Sequence, residues 1–462
     1  MMNGSGLRQT IISDITKKAF LKLSAPSSQL GICRNIQEIR SQRIFSAANR
    51  SHHNRRSSYL RDMRCLMELK SITIRNFKAL QNIHLVHVPS FVVLVGANGT
   101  GKSTLFDVFG FLRDALTGNV RQALDARGRF SEVVTRGHEQ ESILVELQVT
   151  LPIAGTSRLV TYHLEIGIEE ARPVVVREFL RYKRAQYGAP YHFLDFRRGS
   201  GFAITNEEDF QKPDEDLERE EQQLESPDIL AIKGLGQFQR FKAASALRQM
   251  LEKWHVSDFH ISAARGRKEA TGAAEHLSET GDNLSRVAQY LYENHPATFK
   301  GILDRMQRRV PGIEGVEPEL TQDGYLILRF RDGSFQSPFL DRYVSDGTIK
   351  MFAYLVLLHD PKPHPLLCIE EPENQLYPSL MSELAEEFRD YAQRGGQVMV
   401  STHSPDLLNS IRLEEVFWLV KKNGMSEIRR AQDDPQVKRY MQQGDKMGYL
   451  WKEGFFTGVD PA

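Results

Sequence analysis

Five apolar residues, Phe91 to Val95, run directly into GANGTGKST, Gly96 to Thr104, and this junction constrains the chain more than any other feature. The loop has the spacing G-x-x-x-x-G-K-[ST] and lies between a strand-length apolar run and a helical stretch from Lys102 to about Leu116. Gly99 and Gly101 let the backbone curl and turn its N–H groups inward with no Cβ in the way. The helix that follows aims its positive dipole end at the same point. Such a junction is built to hold phosphate; read as scaffold alone, it is a glycine-rich turn with an incidental lysine. Gly96, Asn98, Gly99, Thr100, Gly101, Lys102, Ser103 and Thr104 are therefore candidate nucleotide contacts. Lys102 would reach the β- and γ-phosphates, and the Ser103 hydroxyl would ligate Mg²⁺.

A second stretch, LLCIEEPENQLYP from Leu366 to Pro378, sends an apolar strand into two adjacent carboxylates, Glu370 and Glu371. Part of it has a structural explanation, since proline suits the first position of a helix and acids suit its first turn. Pro372 and Glu373 are expected to open a helix in that way. A carboxylate at the end of a strand beside the phosphate loop faces the cation that the loop hydroxyl holds, and Glu370 fits that place. Glu371 would then be free to polarise a water for in-line attack. Adjacency suits this division: one carboxylate serves the metal and the other keeps a proton site.

Two more segments bear on the site. VMVSTHSPDLL ends a strand in Ser401, Thr402 and His403, and His403 can face a terminal phosphate or the attacking water. It can equally be a satisfied loop histidine. YVSDGTIKMFAYLVLL sets Ser345 and Gly347 before an apolar helix, which by itself is an ordinary helix cap.

Around these segments the pattern alternates between strand and helix periods. SITIRNFKAL (71–80) and three stretches between Ser142 and Arg184 alternate like antiparallel strands, residues 229–309 read as helical, and GYLILRFRDG (324–333) returns to strand. The segment 206–228 carries 11 Asp/Glu against 2 Lys/Arg and reads as a solvated loop or linker. Apolar strands precede Glu370, span QVMVS (397–401) and recur in EVFWLV (415–420). The expectation is a three-layer α/β core with a β and a helical insertion.

Charge is unevenly spread. Residues 1–66 carry a net +9, leaving −8 on residues 67–462. The tail is poor in apolar residues and reads as disordered. Its Arg-rich, acid-poor composition also suits an organellar transit peptide, and Met67 offers an alternative start. No apolar run approaches the ~18 residues of a membrane span. Cys33, Cys65 and Cys368 have no metal or disulfide spacing, which makes a reducing, cytoplasmic interior the default.

Together the segments resemble, in order, the head of an ABC-type ATPase of the RecF/SMC/OLD-like branch, whose members are often labelled AAA family ATPases. ITIRNFKAL matches the opening strand, GANGTGKST the Walker A loop, VSDGT the signature, CIEEPEN Walker B and STHSPDLL the switch. The resemblance covers about residues 67–462. It implies a P-loop NTPase fold with an antiparallel β subdomain and an inserted helical lobe. Walker A and the β lobe fall in 67–205, the acidic linker in 206–228, the mostly helical lobe in 229–335, and the remaining motifs in 336–462.

By the same resemblance Lys102 and Ser103 hold ATP and Mg²⁺, Glu370 is the Walker B acid, Glu371 the catalytic base and His403 the γ-phosphate sensor. Ser345 and Gly347 would reach the γ-phosphate of a second subunit. One copy of each motif then implies an ATP-sandwich homodimer with two-fold symmetry. The implied tasks are DNA maintenance or repair, or phage defence, through DNA or a separately encoded nuclease. A scaffold with little hydrolysis, or a transporter subunit, is the competing expectation. The signature keeps only Ser-x-Gly. The 59 residues after His403 are too few for a Toprim nuclease domain.

Overall fold

The structure is a computed structural model that describes residues 67–184, 188–207, 209, 213, 216–266, 268–269 and 274–456. The expectations for the basic tail 1–66 lie outside the described residues. All the described residues belong to one unit, Arg64–Ala462.

The core is a six-stranded sheet in the order His255–Ser257, Leu366–Glu370, Gln397–Thr402, Phe91–Val95, Val416–Lys422, Met425–Arg430. The first five strands are parallel, and Met425–Arg430 closes the edge antiparallel. A parallel sheet covered on both faces needs apolar side chains on both, which is why these strands read as unbroken apolar runs. Alternation divides them. Val92, Leu94, Leu366, Cys368 and Met399 face the helix Lys102–Thr117 and the β lobe. Phe91, Val93, Val95, Leu367, Ile369 and Val400 face the helices Leu284–Asn294, Pro296–Arg309, Asp346–Leu358 and Met381–Gln393.

The β lobe is an eight-stranded antiparallel sheet. Its first five strands are Leu80–Val86, Glu68–Phe77, Ile143–Ile153, Thr156–Glu169 and Arg172–Tyr182, and it continues through Tyr191–Arg197, Ser200–Ile204 and Arg219–Gln223. Two buried carboxylates fasten helices to it. Glu178 accepts from the N–H groups of Ala231 and Ile232 and from the Tyr162 hydroxyl, so it caps the helix Ala231–Leu235. Glu207 accepts from Ala243 N–H at 3.0 Å, at the start of Lys242–Glu252.

Three segments differ from the sequence pattern. The acidic stretch, read as a linker, supplies the edge strand Arg219–Gln223. The stretch read as helical contains His255–Ser257, which extends the core sheet beside Leu366–Glu370. Pro372 and Glu373 open no helix: the chain turns there, and an α-helix begins only at Met381. Glu371 and Gln375 adopt left-handed φ values of 43° and 67°, which a helix cannot carry. Among the described residues, no helix is long and apolar enough to cross a membrane.

Candidate active site

The site forms where the parallel strands end. The loop after Phe91–Val95 needs glycine at three places, at Gly99 for its left-handed φ of 76° and at Gly96 and Gly101 for close contacts. A Cβ on Gly96 would stand 2.5 Å from Thr100 Oγ1 and 2.7 Å from Leu419 O. Gly101 has φ 101°, and a Cβ there would lie 2.6 Å from Ser426 Oγ. Thr100 braces the loop from within, its hydroxyl donating to Ala97 O at 2.9 Å. Asn98 is exposed and Thr104 half-buried on either side of the turn. Lys102 Nζ lies over the loop and donates to Gly96 O at 2.8 Å and Ala97 O at 3.1 Å. Burial lowers its pKa, against the opposing pull of Glu371 and Glu370.

Period-two alternation puts Glu370 on the same face as Leu366 and Cys368, the face toward the loop helix. Ser103 Oγ donates to Glu370 Oε2 at 2.5 Å, across 267 positions of sequence. Desolvation raises the Glu370 pKa. The Ser103 hydroxyl opposes this, while the charges of Asp258 and Glu371 add to it. A hydroxyl and a carboxylate oxygen converging in this way suit a hard divalent cation such as Mg²⁺. The loop N–H groups and Lys102 suit a triphosphate.

Glu371 leaves the strand through its left-handed backbone, and its N–H donates to Ser401 O at 3.0 Å. Its Oε2 accepts from Asn374 Nδ2 at 2.9 Å, and its Oε1 lies 3.4 Å from His403 Nε2. That contact is not aligned as a hydrogen bond, so His403 Nε2 is buried without a partner. Burial, then the Lys102 charge, lower the His403 pKa and favour the neutral ring. Glu373 holds the histidine segment: its Oε1 accepts from Thr402 Oγ1 at 2.7 Å and from His403 N–H at 2.8 Å.

Ser345 caps Asp346–Leu358 by accepting from Thr348 N–H at 3.2 Å. Gly347 sits against the turn after Glu371, where a Cβ would stand 2.6 Å from Gln375 O. Among the described residues, no hydrogen bond or ion pair joins Ser345 or Gly347 to the loop of Lys102. The chain thus brings Lys102, Ser103, Glu370, Glu371 and His403 together, while Gly347 reaches only the turn after Glu371.

Four contributors escaped the sequence reading. Asp258 follows the strand whose Ser257 pairs with Ile369, next to Glu370. Asn374 and Glu373 orient Glu371 and His403. Lys350, on the helix capped by Ser345, donates to Asn374 O at 2.8 Å and ties that helix to the Glu371 turn. Its one sequence signal is a lysine alone in an apolar helix.

Residues 91–409 match the family described as "AAA domain, putative AbiEii toxin, Type IV TA system". The chain belongs to this family. Its fold is that of a P-loop NTPase similar to the ATPase heads of SMC proteins. The structure of an SMC head bound to the C-terminal winged-helix domain of ScpA shares 13% identity, with 78% of this chain and 97% of that one covered at a TM-score of 0.50. The Pyrococcus furiosus SMC head with an extended coiled coil, bound to the C-terminal domain of ScpA, shares 12%, covering 82% and 99% at 0.45. The Thermotoga maritima SMC head shares 14%, covering 79% and 98% at 0.40. No curated protein sequence matches the chain significantly.

Proposed function

We propose that the chain is an ATP-hydrolysing ABC-type head that closes as an ATP-sandwich homodimer. The observation that carries this reading is the convergence of Ser103 with Glu370 and of Glu371 with His403 beside Lys102. In this reading the loop N–H groups and Lys102 bind the phosphates, and Ser103 and Glu370 hold Mg²⁺. When bound, Mg²⁺ offsets charge on the β- and γ-phosphate oxygens. Glu371, fixed by Asn374, orients a water and accepts its proton. His403, kept neutral by burial and clamped through Glu373, offers Nε2 to the γ-phosphate or to that water.

Ser345 and Gly347 face a second copy in this account. Tyr343 and Tyr377 support a covered face there: they are 69% and 79% exposed, two residues from Ser345 and two after Gln375. Tyrosine is among the residue types enriched at protein interfaces over the rest of the surface. Nucleotide binding would close the dimer because ATP contacts both heads only in the closed state.

The task is defence against mobile DNA or DNA maintenance, acting on a partner protein or on nucleic acid. The words "putative AbiEii toxin, Type IV TA system" in the family's description support the first. The −8 balance of residues 67–462 does not favour a large basic face for DNA. The experiment is Glu371→Gln with ATP and Mg²⁺, read by light scattering and phosphate release. The hydrolytic reading expects turnover to fall by about 10²–10⁴-fold while an ATP-bound dimer accumulates. A variant that keeps wild-type turnover, or stays monomeric at saturating ATP, overturns it.

A further inference from the structure

At the opposite end of the core strands lies a second cluster that the ATP site does not use. His364 precedes the strand Leu366–Glu370, Asp360 follows the helix Asp346–Leu358, and His276 comes from the segment before Leu284–Asn294. One donor atom from each lies within 4.8 Å of the others. His255, at the start of its own strand, stacks on His364 with ring centroids 4.7 Å apart. The three histidines border a cavity of about 290 Å³ that Arg113 and Trp254 also line.

The hydrogen bonds decide how these groups are protonated. His364 Nδ1 lies 3.0 Å from Lys253 O, and a carbonyl can only accept, so the proton sits on Nδ1. The lone pair is therefore on Nε2, which is buried and has no partner. A ring N–H fixed on a backbone carbonyl, with the other nitrogen free, is how metal-ligating histidines are oriented. Asp360 is held on one side, its Oδ1 accepting from Lys362 N–H at 2.7 Å, while its Oδ2 faces His276 Nδ1 at 2.5 Å, a contact that an ion would replace. The backbones are held too, by His364 N–H to Tyr391 Oη at 2.7 Å and by Asn283 Nδ2 to His276 O at 2.9 Å.

A plain His276–Asp360 ion pair explains two of these groups. It leaves two buried imidazole nitrogens unexplained, His364 Nε2 and His255 Nε2, the second on a ring only 6% exposed. The nearby cations do not block an ion, because Arg113 is paired with Asp114 and Glu279, and Lys362 with Glu275.

We propose that His276, Asp360 and His364 bind one divalent transition-metal ion, with the fourth position facing the cavity beside His255. Two imidazoles and one carboxylate suit zinc and other divalent transition metals, and are too nitrogen-rich for Mg²⁺ or Ca²⁺. The ion fastens the end of the signature helix to the start of the Walker B strand, so its role is structural. It adds stability through ligand linkage, in proportion to the logarithm of free zinc over Kd.

The test uses the full chain, stripped with a chelator and kept in excess Mg²⁺ so that the Ser103–Glu370 oxygens do not compete. Zinc uptake is measured against a chromophoric chelator, alongside the visible spectrum after Co²⁺ substitution. The expected result is one zinc per chain, an intense tetrahedral cobalt band and a rise in Tm on adding zinc. His276→Gln, at a side chain 41% exposed, and His364→Gln should each weaken zinc more than the about 10–100-fold lost with an outer-shell partner. They should also abolish the Tm rise. Equal zinc affinity in wild type and the double variant overturns the proposal. So does a wild-type chain that takes up no zinc and gives only an octahedral cobalt spectrum, a result that stands even if a variant fails to fold.

Discussion

Lys350 is 5% exposed inside a helix that is otherwise apolar, and its ammonium ends on the carbonyl of Asn374. Burial lowers its pKa from 10.5 to about 8, against the opposing pull of Glu373 and Glu371. A tenfold change in proton affinity corresponds to about 1.4 kcal/mol, so keeping the buried group charged costs about 3 kcal/mol. The sign follows from proton counting. Below pH 8 the folded and unfolded chains are both charged at this site and the full cost applies. Between about 8 and 10.5 the folded chain sheds the proton first, so stability rises with pH across that window.

Lys350→Met keeps the stem and removes the charge. At neutral pH the relief of desolvation offsets the about 1–3 kcal/mol lost by leaving the Asn374 carbonyl short of a donor. At the alkaline end the wild type no longer bears the charge but keeps the bond. The stability difference between the two proteins should therefore shift toward wild type by about 3 kcal/mol over the window. Urea unfolding at a series of pH values measures it. Parallel profiles, or a shift of opposite sign, refute the reasoning.

Further expectations follow from particular contacts. Gly101→Ala must carry φ 101° and crowd Ser426, so it should lose about 1–3 kcal/mol and weaken binding of a fluorescent ATP analogue. Glu178 is fully buried, and burial raises its pKa from 4.5 to about 7 despite its three donors. The stability it contributes is present below 4.5 and lost as pH rises through about 7, so Glu178→Gln should flatten the fall in stability over that window. Glu373→Ala frees Thr402 and His403; kcat should drop about 100-fold, as for a small misplacement of a catalytic group, while KM for ATP holds.

The phosphate loop and the strands on either side of it were legible because their constraints are local. An apolar run, two glycines without Cβ atoms and a lysine at fixed spacing leave few alternatives. The same holds for 366–369, whose side chains are buried on both faces and so form an unbroken run up to Glu370. His255–Ser257 was hidden because three residues cannot show a period. Pro372 and Glu373 misled because helix-start chemistry is local, whereas what overrides it is not. Glu373 is drawn to Thr402 and His403, 29 and 30 positions away, and the left-handed Glu371 commits the chain to a turn. The cluster of His276, Asp360 and His364 was hidden for a related reason, since one of its ligands lies more than eighty positions from the others.

Calorimetry of ATP binding, with and without Mg²⁺, in wild type and Glu370→Gln tests most directly whether hydroxyl and carboxylate form one cation site. The account predicts that Mg²⁺ tightens ATP binding in wild type, that the variant loses this gain, and that Mg²⁺-free affinity is unchanged. The same Mg²⁺ gain in both proteins would contradict it.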